Sequence, residues 1–365
     1  MKKTLLAAFT VVFTLAFSAG PLQASGAGAE KPVRGVWAHP RMFGPDRATA
    51  VPLMGKTLDE YVRAGIDTVI MLVKDTSGYV YYKSGIAIGD PAYSWDFFGT
   101  FLEEAKKRSI SVHPWFCVFP EGQLLGQVRE HPEWLVRSRR NELVACVNPA
   151  IPAARAYELS LMTELARNYP VDWIHLDYIR FPCEPTEPYF GYDAATRALF
   201  KERSGWDTND IKDQDSGNPV WNVWLEWNRD RVTTFVRELK SALESVGRPV
   251  KISAAVFPEA DNARVLIGQD WSKWAEEGLV DMICPMIYTN DAALFDDYTR
   301  RAIAIGKGRT QVCIGIGIGT SHNRNTPEGM VEQMRISRER GADGVIYFST
   351  NSLIGPFLDR LKAGD

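Results

Sequence analysis

Short apolar runs alternate with amphipathic stretches along most of this chain, and that alternation limits the folds open to it. The runs are Arg34–His39, Thr68–Val73, Ser111–Phe119, Asp172–Ile179, Lys251–Phe257, Asp281–Tyr288, Gln311–Ile318 and Gly344–Ser349. Several are continuously apolar, as strands buried on both faces must be. Helical patterns separate them. Phe97, Phe98, Phe101, Leu102 and Ala105 share one face, with Ser94 as the expected N-cap, and Trp224, Trp227, Phe235, Leu239, Leu243 and Val246 line a long helix. Thr326 before Pro327 reads as an N-cap followed by the first helical position. Gly65, Gly247, Gly278, Gly306 and Gly341 each close a helical pattern ahead of a strand.

Eight strand–helix units fold as a closed barrel or as a doubly wound sheet. The count, the length and the lack of a glycine-rich phosphate loop after the first strand favour the α/β (β/α)8 TIM barrel. Gly315, Gly317 and Gly319 alternate with isoleucine and read as strand seven. No linker divides the chain, so one domain over residues 31–363 is expected. Two long connections, Pro120 to about Pro152 and Pro182 to about Pro219, follow strands three and four. They belong on the face where barrel enzymes keep their sites.

The N-terminus reads as a secretory signal peptide over residues 1–24. Lys2 and Lys3 precede the uncharged apolar stretch Leu5–Phe17, and small residues run to Ala24. No cysteine follows that would carry a lipid anchor, and no later stretch approaches the ~18 apolar residues of a membrane span. The expectation is a periplasmic or secreted protein with no membrane span. A net charge of −3 and the absence of a basic stripe argue against nucleic acid. Aromatic content of 11%, with 11 Trp, suits both core packing and sugar stacking. Of five Cys, Cys117, Cys284 and Cys313 sit in apolar runs, whereas Cys146 and Cys183 fall in loops where a disulfide is open. No zinc motif or cofactor signature is present.

Strand four carries ionisable residues where a structural strand would be apolar: Trp173-Ile174-His175-Leu176-Asp177-Tyr178-Ile179-Arg180-Phe181-Pro182. Alternation places Trp173, His175 and Asp177 on one face, with Asp177 at the barrel mouth and His175 a layer below. Arg180 lies past the strand end, within reach as a charge partner. A carboxylate there serves as nucleophile or general base, or is simply satisfied by Arg180 and backbone N–H groups. Company of this kind favours a site, because buried charge is costly and gathers where it is used.

The run Ile174 to Pro182 resembles the signature of the glycosyl-hydrolase-like family ten proteins, exported bacterial barrels distantly similar to the amylase and α-galactosidase groups. Arg34-Gly35-Val36-Trp37 resembles that family's first strand, and Cys284-Pro285-Met286-Ile287-Tyr288 its sixth. The likeness runs from about residue 31 to 355. It implies a glycosidase acting on bacterial glycan, either peptidoglycan strands or an exopolysaccharide. The continuation Ala38-His39-Pro40-Arg41-Met42 departs from the commoner family pattern and points to a branch with a different substrate.

Glycoside hydrolysis needs two carboxyl groups, ~5 Å apart for retention and ~6.5–9.5 Å for inversion. Asp177 takes the first role. Glu259, directly after strand five, leads for the second, with Asp291 after strand six as its rival and Asp75 after strand two third. Each also reads as a helix cap or first-turn acid. His39, Lys74, Asp75, His113, Trp115, His175, Arg180, Tyr288 and Tyr347 are candidate substrate contacts, of which some must be barrel packing. Two other functions stay open: a glycan-binding barrel without turnover, and a metal-assisted enzyme using His39, His113, His175 and Asp177.

Overall fold

Residues that are apolar on every side need cover on every side, and this chain supplies it by closing its sheet and wrapping it in helices. The computed structural model describes residues 31–183, 191–212, 214 and 217–363. The segment read as a signal peptide and part of the second long connection lie outside the described residues. Eight strands run β1 (Val33–Ala38), β2 (Thr68–Lys74), β3 (Ser111–Cys117), β4 (Trp173–Asp177), β5 (Lys251–Val256), β6 (Met282–Ile287), β7 (Gln311–Gly317) and β8 (Gly344–Phe348). Each pairs in parallel with the next, and β8 closes on β1 through Val33–Gly344 to Val36–Tyr347. Every residue of β2 is buried. The barrel expectation is met, with strand limits within two residues of the sequence reading.

Helices cover the outer face. Helix Phe97–Lys106 begins at Asp96, whose carboxylate accepts from Gly99 N, so Asp96 and not Ser94 is the cap. Thr326 caps helix Pro327–Arg340 as read, and Gly341 ends it at φ 85°. Gly306 has a different task from the other helix-ending glycines. The left-handed residue is Gly308, at φ 72°, whereas a Cβ on Gly306 would collide with Val312. Its bare Cα lets helix Ala292–Gly306 lie flat on β7. No helix of the described residues is long and apolar enough to cross a membrane.

The connection after β3 contains an antiparallel hairpin, Leu135–Arg137 with Leu143–Val147, that the sequence did not announce. Strands this short carry no readable period. Val147 N donates to Phe119 O at 2.7 Å, and Glu121 N to Ala145 O at 2.9 Å, so the hairpin is stitched to the chain leaving β3. All five cysteines are free thiols. Cys146 is buried and Cys183 exposed, so the open disulfide is not formed.

Candidate active site

The C-terminal ends of the strands surround a cavity of 780 Å³, which the loops after β1, β2, β4, β5, β6 and β7 help to line. Asp177 lies in its wall as the last residue of β4, as strand alternation required. Its Oδ1 accepts from Tyr178 N at 2.6 Å and from Arg180 Nη1 at 3.1 Å. Tyr178 adopts φ 50°, a left-handed turn that a non-glycine residue rarely takes and that ends the strand sharply. That turn sends Arg180 back over the rim. Its guanidinium sits 4.3 Å from the Tyr178 ring centre and 4.9 Å from that of Phe257, so the partner of Asp177 is held between two aromatic faces.

Asp75 lines the same cavity. Its Oδ1 accepts from Ser77 N at 2.9 Å and Tyr79 N at 3.2 Å, and its Oδ2 from the Tyr81 hydroxyl at 2.9 Å. Arg41 Nη2 approaches Oδ2 at 3.5 Å. Neighbouring Lys74 is not a substrate contact. The β2–β3 register shifts between Leu72 and Lys74, which disrupts simple alternation at the strand end. Lys74 is fully buried, with Nζ 2.9 Å from Glu121 and 3.4 Å from Glu158, and it donates to the carbonyls of Cys117, Val118 and Pro120. Burial and the neighbouring Glu121 push the Glu158 carboxyl well above its usual range, against the pull of Lys74.

His113 and His175 are also below the cavity and out of a sugar's reach. Trp37 Nε1 donates to His175 Nε2 at 3.1 Å, so a neutral His175 carries its proton on Nδ1. That N–H faces Ser253 Oγ at 2.9 Å, leaving the hydroxyl proton for His113 Nδ1 at 3.1 Å. Burial lowers His113 to about 3 and His175 well below its ordinary value, which keeps both rings neutral. His113 also stacks on Trp173, 4.4 Å between ring centres. A metal reading that relied on these two imidazoles therefore loses their Nδ1 atoms to Ser253, and no group of three or more potential ligands exists among the described residues. Tyr347 has the parity opposite to Phe348. It points outward and donates to Met334 Sδ at 3.2 Å in helix Pro327–Arg340, so it too is packing.

The two remaining acids stand apart from the cavity wall. Asp291 accepts from Ala293 N at 2.9 Å and Leu294 N at 3.1 Å; it is an exposed helix N-cap outside the cavity wall. Glu259 is half-buried at the start of helix Ala260–Leu266 but does not cap it. Its Oε1 accepts from the Tyr298 hydroxyl at 2.9 Å and its Oε2 from Asn262. Tyr298 lines the cavity, so Glu259 is one hydrogen bond behind the wall.

His39, Trp115, Arg180 and Tyr288 do line the cavity, as read. Sequence reasoning passed over Phe348, the hub of the aromatic wall. Its ring lies 6.0 Å from Trp37, 6.4 Å from Trp115 and 5.4 Å from Tyr288, with the last pair stacked at 19°. Its place as the final residue of β8 was the available signal. Tyr298, on a helix, and Ser321 and His322, in the loop after β7, had none.

Comparisons with known proteins bear on the family and the barrel. Glycosyl hydrolase YngK of Bacillus subtilis is 24% identical over 343 residues, covering 82% of this chain and 62% of its own length. Glycosyl hydrolase DigH of Escherichia coli K12 is 25% identical over 304 residues, covering 71% and 64%. The chain thus spans less than two thirds of each of these relatives. Among solved structures, the PgaB (BpsB) glycoside hydrolase domain of Bordetella bronchiseptica superposes with a TM-score of 0.72 at 15% identity, covering 91% of this chain and 98% of that one. α-L-Fucosidase isoenzyme 2 of Paenibacillus thiaminolyticus gives 0.64 at 13%, covering 91% and 49%. Those likenesses concern the barrel. Residues 33–335 match the glycosyl hydrolase-like 10 model, and the chain belongs to that family.

Proposed function

We propose that the chain is a glycoside hydrolase that cleaves a bacterial glycan, peptidoglycan strands or an exopolysaccharide, outside the cytoplasm. The observation that carries this reading is Asp177: a carboxylate in the wall of a sugar-sized cavity, held by Arg180 among aromatic faces that suit sugar rings. Asp177 supports the oxocarbenium-like centre, as nucleophile or through water. Asp75 shares the cavity, but two backbone N–H groups and a phenol already occupy both of its oxygens. Glu259, held by one phenol and one amide and one hydrogen bond behind the wall, is the second carboxyl of this reading, and it reaches the sugar once the Tyr298 contact opens. Export rests on the leader at residues 1–24.

The test is release of reducing ends from purified peptidoglycan strands and a panel of exopolysaccharides. Asp177→Asn is expected to lower kcat by at least about a hundredfold with the fold intact. Glu259→Gln should lose turnover on natural glycans yet keep it on aryl glycosides, whose leaving groups need no protonation. Full activity in Asp177→Asn would end the proposal. A second reading, glycan binding without turnover, draws support from the donors that already hold both carboxylates in the wall. It predicts saturable binding and no new reducing ends from any substrate.

A further inference from the structure

The wall of the cavity formed by β1 and β3 holds three donor-bearing side chains whose hydrogen-bonding capacity is not fully used among the described residues. Arg41 follows β1 on a 3-10 turn and its side chain is 64% exposed. Its two contacts are both long, 3.5 Å to Asp75 Oδ2 and 3.4 Å to the Tyr81 hydroxyl, and both come from Nη2. Asp75 does not need it, since that carboxylate already has three shorter donors. Nε and Nη1 of the guanidinium meet no acceptor among the described residues. His39, two residues earlier, lines the cavity, and its imidazole makes no hydrogen bond among the described residues. Trp115 lines the same cavity, and its Nε1 is buried without a partner.

These groups are close together. The His39 ring stands edge-on to Trp115 with centres 5.7 Å apart, and the charges of Arg41 and Asp75 both act on His39. A buried indole N–H without an acceptor is costly, and a guanidinium with two of its nitrogens open can donate to a carboxylate. We propose that Arg41, His39 and Trp115 form a subsite for the carboxylate of an acidic sugar unit. This rests on the reading that the cavity takes a glycan, and it names the chemical class of one residue of that glycan. Arg41 meets the carboxylate oxygens, and His39 and Trp115 supply neutral donors beside it. A lactyl ether on an amino sugar and a uronic acid both present such a group.

Calorimetry with the full chain carrying Asp177→Asn tests the idea. The probes are a disaccharide ending in N-acetylmuramic acid and trigalacturonate, each beside its methyl ester. One acid should bind at least about tenfold more tightly than its ester, and the better acid identifies the source of the carboxylate. Arg41→Gln should erase that difference while leaving ester binding in place. Trp115→Phe, which removes the indole N–H and keeps an aromatic ring, should reduce it. Equal binding of acid and ester, binding of neither acid, or discrimination that survives Arg41→Gln overturns the subsite. The two proposals fail separately: acid-selective binding with no turnover of any glycan removes the hydrolase, whereas turnover indifferent to the carboxyl group removes the subsite.

Discussion

His113 and His175 are neutral residues in a place where a charge has no solvent, and this links folding to pH. Burial lowers His113 from 6.5 to about 3, and His175 moves in the same direction. Below pH 6.5 the unfolded chain takes up protons that the folded chain refuses, so stability contributed by these rings is complete above that value. It is lost progressively as pH falls toward 3. The melting temperature should drop over that interval, and His113→Gln, whose carbonyl can still accept from Ser253, should show a shallower drop. Equal slopes in both proteins would contradict the neutral assignment. Lys74 gives a second expectation. Its removal leaves Glu121 and Glu158 buried without a cation. Lys74→Met should cost about 3–5 kcal/mol in urea unfolding, and Glu121→Gln in the same chain should recover part of it.

Strands β6 and β7 show why glycine recurs along β7. A Cβ on Gly315 would come within 2.8 Å of Pro285 O and 3.3 Å of the Trp37 ring, and one on Gly317 would press on Asn323 and lie 3.0 Å from Tyr288. Gly317→Ala should therefore shift Tyr288 off Phe348 and destabilise by about 1–3 kcal/mol, measurable as a lower urea midpoint together with a changed near-ultraviolet signal. Barrel strands were legible because continuous apolar runs and strand-end chemistry are local properties. Asp177, Arg180, His39, Trp115 and Tyr288 followed from their positions at strand ends. What escaped was set by irregular or non-local events. One register shift in β2 hides the packing role of Lys74. Asp291 and Glu259 both precede helices, and only the coordinates show that Asp291 caps while Glu259 reaches Tyr298. His175 and His113 look like strand-end ligands until Ser253, 78 residues from one and 140 from the other, is brought between them.

At the scale of the molecule, the barrel is sealed by β1 meeting β8, so closure needs the chain from Val33 to Phe348. A chain starting at Lys31 is expected to melt at the same temperature as the whole protein, and a chain ending before β8 should not melt cooperatively. Circular dichroism on both truncations checks this. The site depends on the same closure, since Phe348 from the last strand packs against Trp37 from the first.

The line of donors from Trp37 through His175 and Ser253 to His113 has a direction, because each group's role is dictated by the one before it. Replacing Ser253 with alanine would strand one imidazole proton and one lone pair at once. A descendant lineage can discard the four polar side chains together, for hydrocarbon, but has no neutral route through their loss one at a time.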